Sequence, residues 1–199
     1  MTRFTPAVVA CAIVASIAAA AQQAPLSRSE GDSMERKLNA ITERGGAAPD
    51  AASARIKTTF TDRELNAYLT YNGQQRLPVG LREPSVTFPS VNRFDGRALV
   101  DLDQIRKSKE YGGFTGLFLQ GTHEVKLSGT FSGANGKGTV HLLSALIDGV
   151  PAQGLVEVLV GSFSKSPDLP GGFQLDKPFD LPSRIRTLQV QSGSITVIQ

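Results

Sequence analysis

Two histidines and a few carboxylates are the side chains of this 199-residue sequence with the most chemistry within reach. His123 and His141 sit in "THEVKLSGTFSG" and "GTVHLLSALIDG", two alternating stretches on either side of "ANGKG". A hairpin that registered them side by side, with Glu124 close, would offer a metal or acid–base pair, provided both faced the same way and a third ligand joined them. "DLD" at Asp101 to Asp103 puts two carboxylates on one side of a strand, as glycosidase chemistry or a hard cation would use. Both have a plainer reading, as surface or partly packed strand histidines and as a solvent-facing strand. No G-x-S-x-G, S-x-x-K, H-E-x-x-H or phosphate-cradling glycine motif occurs, and "PGG" and "GANGKG" read as turns. The expectation is a non-enzyme with no catalytic residue, no metal and no cofactor. "RKSK" at Arg106 to Lys109 could touch anionic headgroups or stand as a solvated loop.

The elements that must position such residues begin behind an export signature. "MTRFTPAVVACAIVASIAAAAQQ" has a polar start with Arg3, an apolar run from Val8 to Ala20 and small residues at Ala19 and Ala21. This is the pattern of a signal peptide over 1–21. An uncleaved anchor is the rival reading, but the run is shorter than the roughly 20 residues of a bilayer span. The sole cysteine, Cys11, would leave with it, so a chain from Gln22 has no disulfide and no thiolate chemistry. Without Arg3, 20 Lys and Arg face 18 Asp and Glu, a balance of +2 that does not suggest a nucleic-acid partner. An exported product, periplasmic or extracellular, is expected.

Residues 22–54 carry one narrow helical stripe, Met34, Leu38 and Ile41, halted by Gly45-Gly46 and followed by the flexible "GGAAPDAASA". A stripe this narrow must dock or fray. Residues 55–199 read as one domain. "ARIKTTF" is strand-like, and in "FTDRELNAYLTYN" Thr61 and Glu64 form a capping box, with Phe60 as staple onto Leu65 and an apolar face of Leu65, Tyr68 and Leu69. "PSVTFPSV" and "RALVDLDQI" flank "NRFDG", where Asp95-Gly96 signals a hairpin. Asn135-Gly136 signals a second hairpin. Val125, Leu127 and Phe131 face one way, opposite Glu124, Lys126, Ser128 and Thr130. "VPAQGLVEVLVGSF" returns to helical spacing through Leu155, Val156, Leu159, Val160 and Phe163, and a last hairpin turns about Ser192-Gly193-Ser194. The fold class is α+β, a long antiparallel meander of roughly six or more strands with one or two amphipathic helices.

"TFTDRELNAYL", "IDGVPAQGLVEVL" and "FDLPSRIRTLQVQSGSITV", set around alternating strands, resemble bacterial relatives of the tubular lipid-binding (TULIP-like) proteins, the LmeA-type phospholipid-binding and YpmS-like envelope families. The resemblance spans most of Lys57 to Gln199. It implies a curved antiparallel sheet wrapped around a helix, with an apolar groove between them for a lipid or other amphiphile and contact with a membrane surface. The lining it implies is Phe60, Leu65, Tyr68 and Leu69 with Leu155, Val156 and Leu159. The chain has no paired cysteines and is short for the closed tube of the larger eukaryotic members. Two alternatives stand beside it: an exported interaction protein in which those residues are plain core, and a hydrolase built on His123, His141, Asp101 and Asp103.

Overall fold

The structure is a computed structural model, which describes residues 24–47, 55–107, 120–154, 156 and 174–199. The expected signal segment lies outside the described residues; of the expected linker, Gly45 and Gly46 are the last residues of the first helix, Ala47 caps it, and 48–54 lie outside the described residues. No described helix is long and apolar enough to cross a membrane.

The protein is α+β. Nine antiparallel strands among the described residues form one sheet: β1 (Lys57–Thr61), β2 (Leu81–Thr87), β3 (Arg93–Asp101), β4 (Thr122–Ala134), β5 (Lys137–Ile147), β6 (Val150–Pro151), β7 (Phe179–Asp180), β8 (Thr187–Gln191) and β9 (Ser194–Ile198). The order runs β1-β9-β8-β4-β3-β2, with β5 on the other side of β4 and carrying β6 and β7. The ends of this path, β1 and β2, do not pair, so the sheet does not close into a barrel. Strand β4 is the axis. Its residues Thr122–Thr130 pair with β3, and Gly133 then pairs with Leu188 of β8. The sheet forks where the Asn92 amide donates to the Val190 carbonyl, 3.1 Å away.

Alternation decides which face is buried. Ala98 lies opposite Val125, Gly96 opposite Leu127, and Leu127 opposite Ala145, all on the inner face. The outer face carries Arg97 opposite Lys126 and Leu99 opposite Glu124, with Glu124 paired to both Arg97 and Lys126. The inner face supports two separate cores. One gathers Val100, Leu102, Ile105, Val125, Ala145, Ile147 and Val156; the other gathers Met34, Ile41, Phe60, Tyr68, Leu181, Ile185 and Val197.

Helix α1 (Arg28–Gly46) docks. Met34 and Ile41 are buried in the second core, so the stripe visible in the sequence is covered. Ser27 caps α1 in a capping box with Glu30. Helix α2 (Asp62–Tyr71) starts on the expected box: the Glu64 amide donates to Thr61 Oγ1 at 3.1 Å, and the Thr61 amide donates to Glu64 Oε2 at 3.0 Å. The two helices cross closely at Gly31, where a Cβ would fall 2.4 Å from Asn72 Oδ1 and 3.1 Å from the Ala67 carbonyl oxygen. Only glycine permits that approach. The crossing is fastened by Arg63 to Glu30 at 2.8 Å and Lys37 to Glu64 at 2.7 Å. Arg63 draws the Glu30 carboxyl down to about 2. Burial alone would raise Glu64, but Lys37 and the Ser33 hydroxyl outweigh it and hold this carboxyl low.

Two expectations are corrected here. Asp95-Gly96 is not a turn: both residues lie inside β3, and the β2–β3 connection turns through Asn92, whose φ of 57° is left-handed. "RALVDLDQI" is not one strand either. Asp101 ends β3 and its Oδ1 accepts from the Gln104 amide at 3.0 Å, starting α3 (Leu102–Lys107). Leu102 and Ile105 then bury at helical rather than strand spacing. The Asn135-Gly136 turn is as expected, with φ of 54° and 76°, the two left-handed residues a type I′ hairpin needs.

Candidate functional site

Strand β2 is one end of the sheet path, and its bulge makes the site. Register slips between Arg82 and Ser85, where Glu83 takes φ 48° and Pro84 follows. Proline has no amide to give, so a bulged edge is where a strand tolerates it. Past the bulge, α2 lies along β2, and the Asn66 side chain acts as a short strand partner. Its Nδ2 donates to the Val86 carbonyl and its Oδ1 accepts from the Val86 amide, both at 2.7 Å.

Clefts open on both sides of this edge. The larger, about 580 Å³, lies between α2 and β2 and is lined by Leu26, Leu69, Leu77, Leu81 and Pro84 beside Asn66, Thr70, Gln74 and Arg82. This volume falls within the roughly 300–1,000 Å³ of small-molecule sites. The smaller, about 210 Å³, lies against the inner sheet face. Its walls are Leu81, Val86, Ala98, Val100, Val125, Leu127 and Val156, with Gly96 among them. Leu81, Pro84 and Ser85 line both, so the bulged edge is a partition between an apolar cleft and one with a polar rim.

The expected lining residues divide. Leu69 lines the larger cleft and Val156 the smaller. Phe60 and Tyr68 are only 8% and 7% exposed in the second core, and Leu65 packs against that core. Arg76 Nη1 donates to the Tyr68 hydroxyl at 3.2 Å. Leu155 and Leu159 lie outside the described residues; of their stretch, Gln153, Gly154 and Val156 are described and helical. Sequence reading missed Leu81, Val86, Ala98 and Leu127 as wall residues and Asn66 as their support. The available signal was Pro84 within a strand-like run, which marks an edge.

The histidine and carboxylate constellation is not assembled. His123 stands opposite Val100 and His141 opposite Thr130, on opposite faces of the sheet. His141 Nδ1 pairs with Asp176. Asp101 pairs with Arg82 at 2.9 Å, and Asp103 accepts from the Gly121 amide at 2.9 Å. No group of three or more His, Cys, Asp or Glu suited to a metal occurs among the described residues.

His123 instead braces the β5–β6 turn. Its Nδ1 lies 2.7 Å from Asp148 Oδ2, and Asp148 Oδ1 accepts from the Glu124 amide at 2.9 Å. The hydrogen bond that His123 donates to the Asp148 carboxylate raises the His123 pKa, and the same contact lowers that of Asp148. The histidine contribution to stability is complete below its unfolded value of about 6.5 and fades as pH rises through the raised folded value. The aspartate contribution is complete above about 3.9 and fades as pH falls through the lowered value. Urea midpoints of the parent and a His123→Ala variant are therefore expected to differ most between about pH 4 and 6.5, and less at pH 8. An equal gap at pH 5 and pH 8 would remove this role.

Fold and clefts together define an open-sheet α+β protein with an apolar recess at a bulged edge. No protein-family model matches the chain, and neither curated proteins nor solved structures give a match.

Proposed function

We propose that the chain is an exported, non-catalytic protein that holds the apolar part of a lipid or other amphiphile in the clefts flanking β2, as the tubular lipid-binding resemblance implies. The observation that carries this reading is the smaller cleft, whose walls come from four different elements and are almost wholly aliphatic. An aliphatic recess gives hydrocarbon a place out of water at about 25 cal/mol per Å² covered. The larger cleft adds the Asn66, Gln74 and Arg82 side chains for a polar end. The second reading, an interaction protein with a filled core, draws on the burial of Phe60 and Tyr68 within the second core.

Native mass spectrometry of the chain from Gln22, secreted by a bacterial host and purified without detergent, separates the two. A discrete added mass that extracts as fatty acid or phospholipid is the expected result. A bare mass that stays bare after incubation with lipid vesicles would favour the filled core.

A further inference from the structure

The face of the sheet turned away from the two cores carries a recess of its own. Across β2, β3, β4 and β5, Ser85, Arg97, Lys126 and Leu146 stand opposite one another in one row, and Thr87, Asp95, Ser128 and Ser144 in the next. Strand alternation puts both rows on the outer face. They line a depression of about 320 Å³, within the roughly 300–1,000 Å³ of small-molecule sites. With strands about 4.8 Å apart and alternate residues about 7 Å apart, the rows span roughly 14 Å by 7 Å. Both flanking strands bulge beside them, β2 between Arg82 and Ser85 and β5 at Leu143. A bulge bends its strand, so this panel is curved rather than flat.

Charge in the recess is balanced, and part of it is uncommitted. Lys126 Nζ, at 2.7 Å, and Arg97 Nε share the Glu124 carboxylate and hold it below its ordinary pKa. That shared partner orients both long side chains, yet leaves the two Nη groups of Arg97 free among the described residues. Asp95 is exposed and makes no side-chain hydrogen bond or ion pair among the described residues. The same holds for the hydroxyls of Ser85, Thr87, Ser128 and Ser144. Two cations thus stand against two carboxylates, with polar capacity left over.

We infer that this recess binds a neutral saccharide. Free hydroxyls, a free carboxylate and free guanidinium N–H groups match a ligand whose own hydroxyls both donate and accept. Asp95 accepts from adjacent ring hydroxyls, the Arg97 Nη groups donate to a hydroxyl or ring oxygen, and Leu146 meets a C–H face. An anion would face the uncompensated Asp95 while both cations are already held by Glu124, and a cation would face Arg97 and Lys126. A peptide cannot add here as a strand, because β3 and β4 are paired on both sides. Thr87, Asp95, Lys126, Ser128, Ser144 and Leu146 line neither cleft. The site therefore goes beyond the amphiphile reading and does not depend on it.

The test is a printed array of neutral, acidic and amino-bearing glycans, probed with the chain from Gln22 at low and high salt. Retention of neutral glycans, little changed by salt, is expected, since screening acts on charges. The best-retained glycan, titrated in solution, should shift the amide NMR signals around Asp95, Lys126 and Ser144. Asp95→Ala should weaken binding about tenfold or more and Ser144→Ala about fivefold, through lost hydrogen bonds to a charged and to a neutral group. Both side chains are exposed and unpaired among the described residues, so circular dichroism should show each variant folded like the parent. No retention of any neutral glycan, retention of acidic glycans alone, shifts confined to other strands, or affinity unchanged in Asp95→Ala would overturn the inference. Native mass spectrometry of Asp95→Ala should show the same bound amphiphile as the parent, so the cleft reading and this one fail separately.

Discussion

A Gly96→Leu protein is expected to fold at least as stably as the parent and to lose bound amphiphile. Gly96 sits in β3 between Val86 and Leu127, with ordinary strand backbone. A Cβ built there would meet nothing closer than Leu127 Cβ and the Ser85 carbonyl oxygen, both at 3.9 Å. The new side chain therefore projects into the smaller cleft, whose volume is about 210 Å³, without displacing backbone. Glycine within a strand costs conformational entropy and packs nothing, so the replacement should be neutral or stabilising by up to about 1 kcal/mol. Occupancy by lipid should fall at least about tenfold, because a methylene-sized loss of pocket is worth 1–3 kcal/mol and leucine removes several. Native mass spectrometry gives the occupancy, and urea denaturation the stability. Retained lipid in a stably folded variant would place any ligand elsewhere.

Replacing Asn66 is expected to give the largest loss of stability of any single polar substitution at this edge. Its amide satisfies both backbone groups of Val86 from a part-buried position. Asn66→Ala removes two hydrogen bonds and leaves a donor and an acceptor facing the gap, for a cost of about 2–4 kcal/mol. Asn66→Asp is the informative partner. A carboxylate still accepts from the Val86 amide but repels the Val86 carbonyl, so this variant should also be destabilised near neutral pH. It should recover part of the loss on acidification, once a protonated carboxyl can donate. Thermal melts at pH 4 and pH 7 would show it. If both variants melt with the parent, the edge is held by other contacts.

What could be read in advance was local, and what could not was assembled from distant parts. The Thr61–Glu64 box and the Asn135-Gly136 turn are each complete within a few residues, and both stand where the sequence puts them. Asp95-Gly96 misled because the same dipeptide that makes a turn also suits a strand position opposite Leu127, where a side chain would fill the cleft. Asp101-Leu102-Asp103 misled because an aspartate ending a strand can equally begin a helix. Helix and strand spacing share Leu102, and only Ile105 separates them. Of the smaller cleft's walls only Val156 was named in advance; Leu81, Ala98 and Val125 were illegible because they meet it only through strand pairing and a bulge. The resemblance placed the lining at Phe60, along α2 and at Leu155, Val156 and Leu159; Leu69 lines the larger cleft and Val156 the smaller, while Phe60 and Tyr68 are buried in the second core.

The pairing of β1 with β9 carries a consequence for how this chain is made. The hydroxyls of Thr59 and Thr196 share a 2.7 Å hydrogen bond across 137 residues of sequence. Strands β2 to β5 follow one another and can close as they emerge. Strand β1, with Phe60 on it, must wait for nearly everything else, an interval of roughly seven to twenty-seven seconds at ordinary ribosome speeds. Through that interval α1 and α2 can cross, but the core beneath them has one wall missing. The half-made protein is thus a helical hairpin with an uncovered greasy underside and an unpaired strand, the form in which a holding chaperone would recognise it.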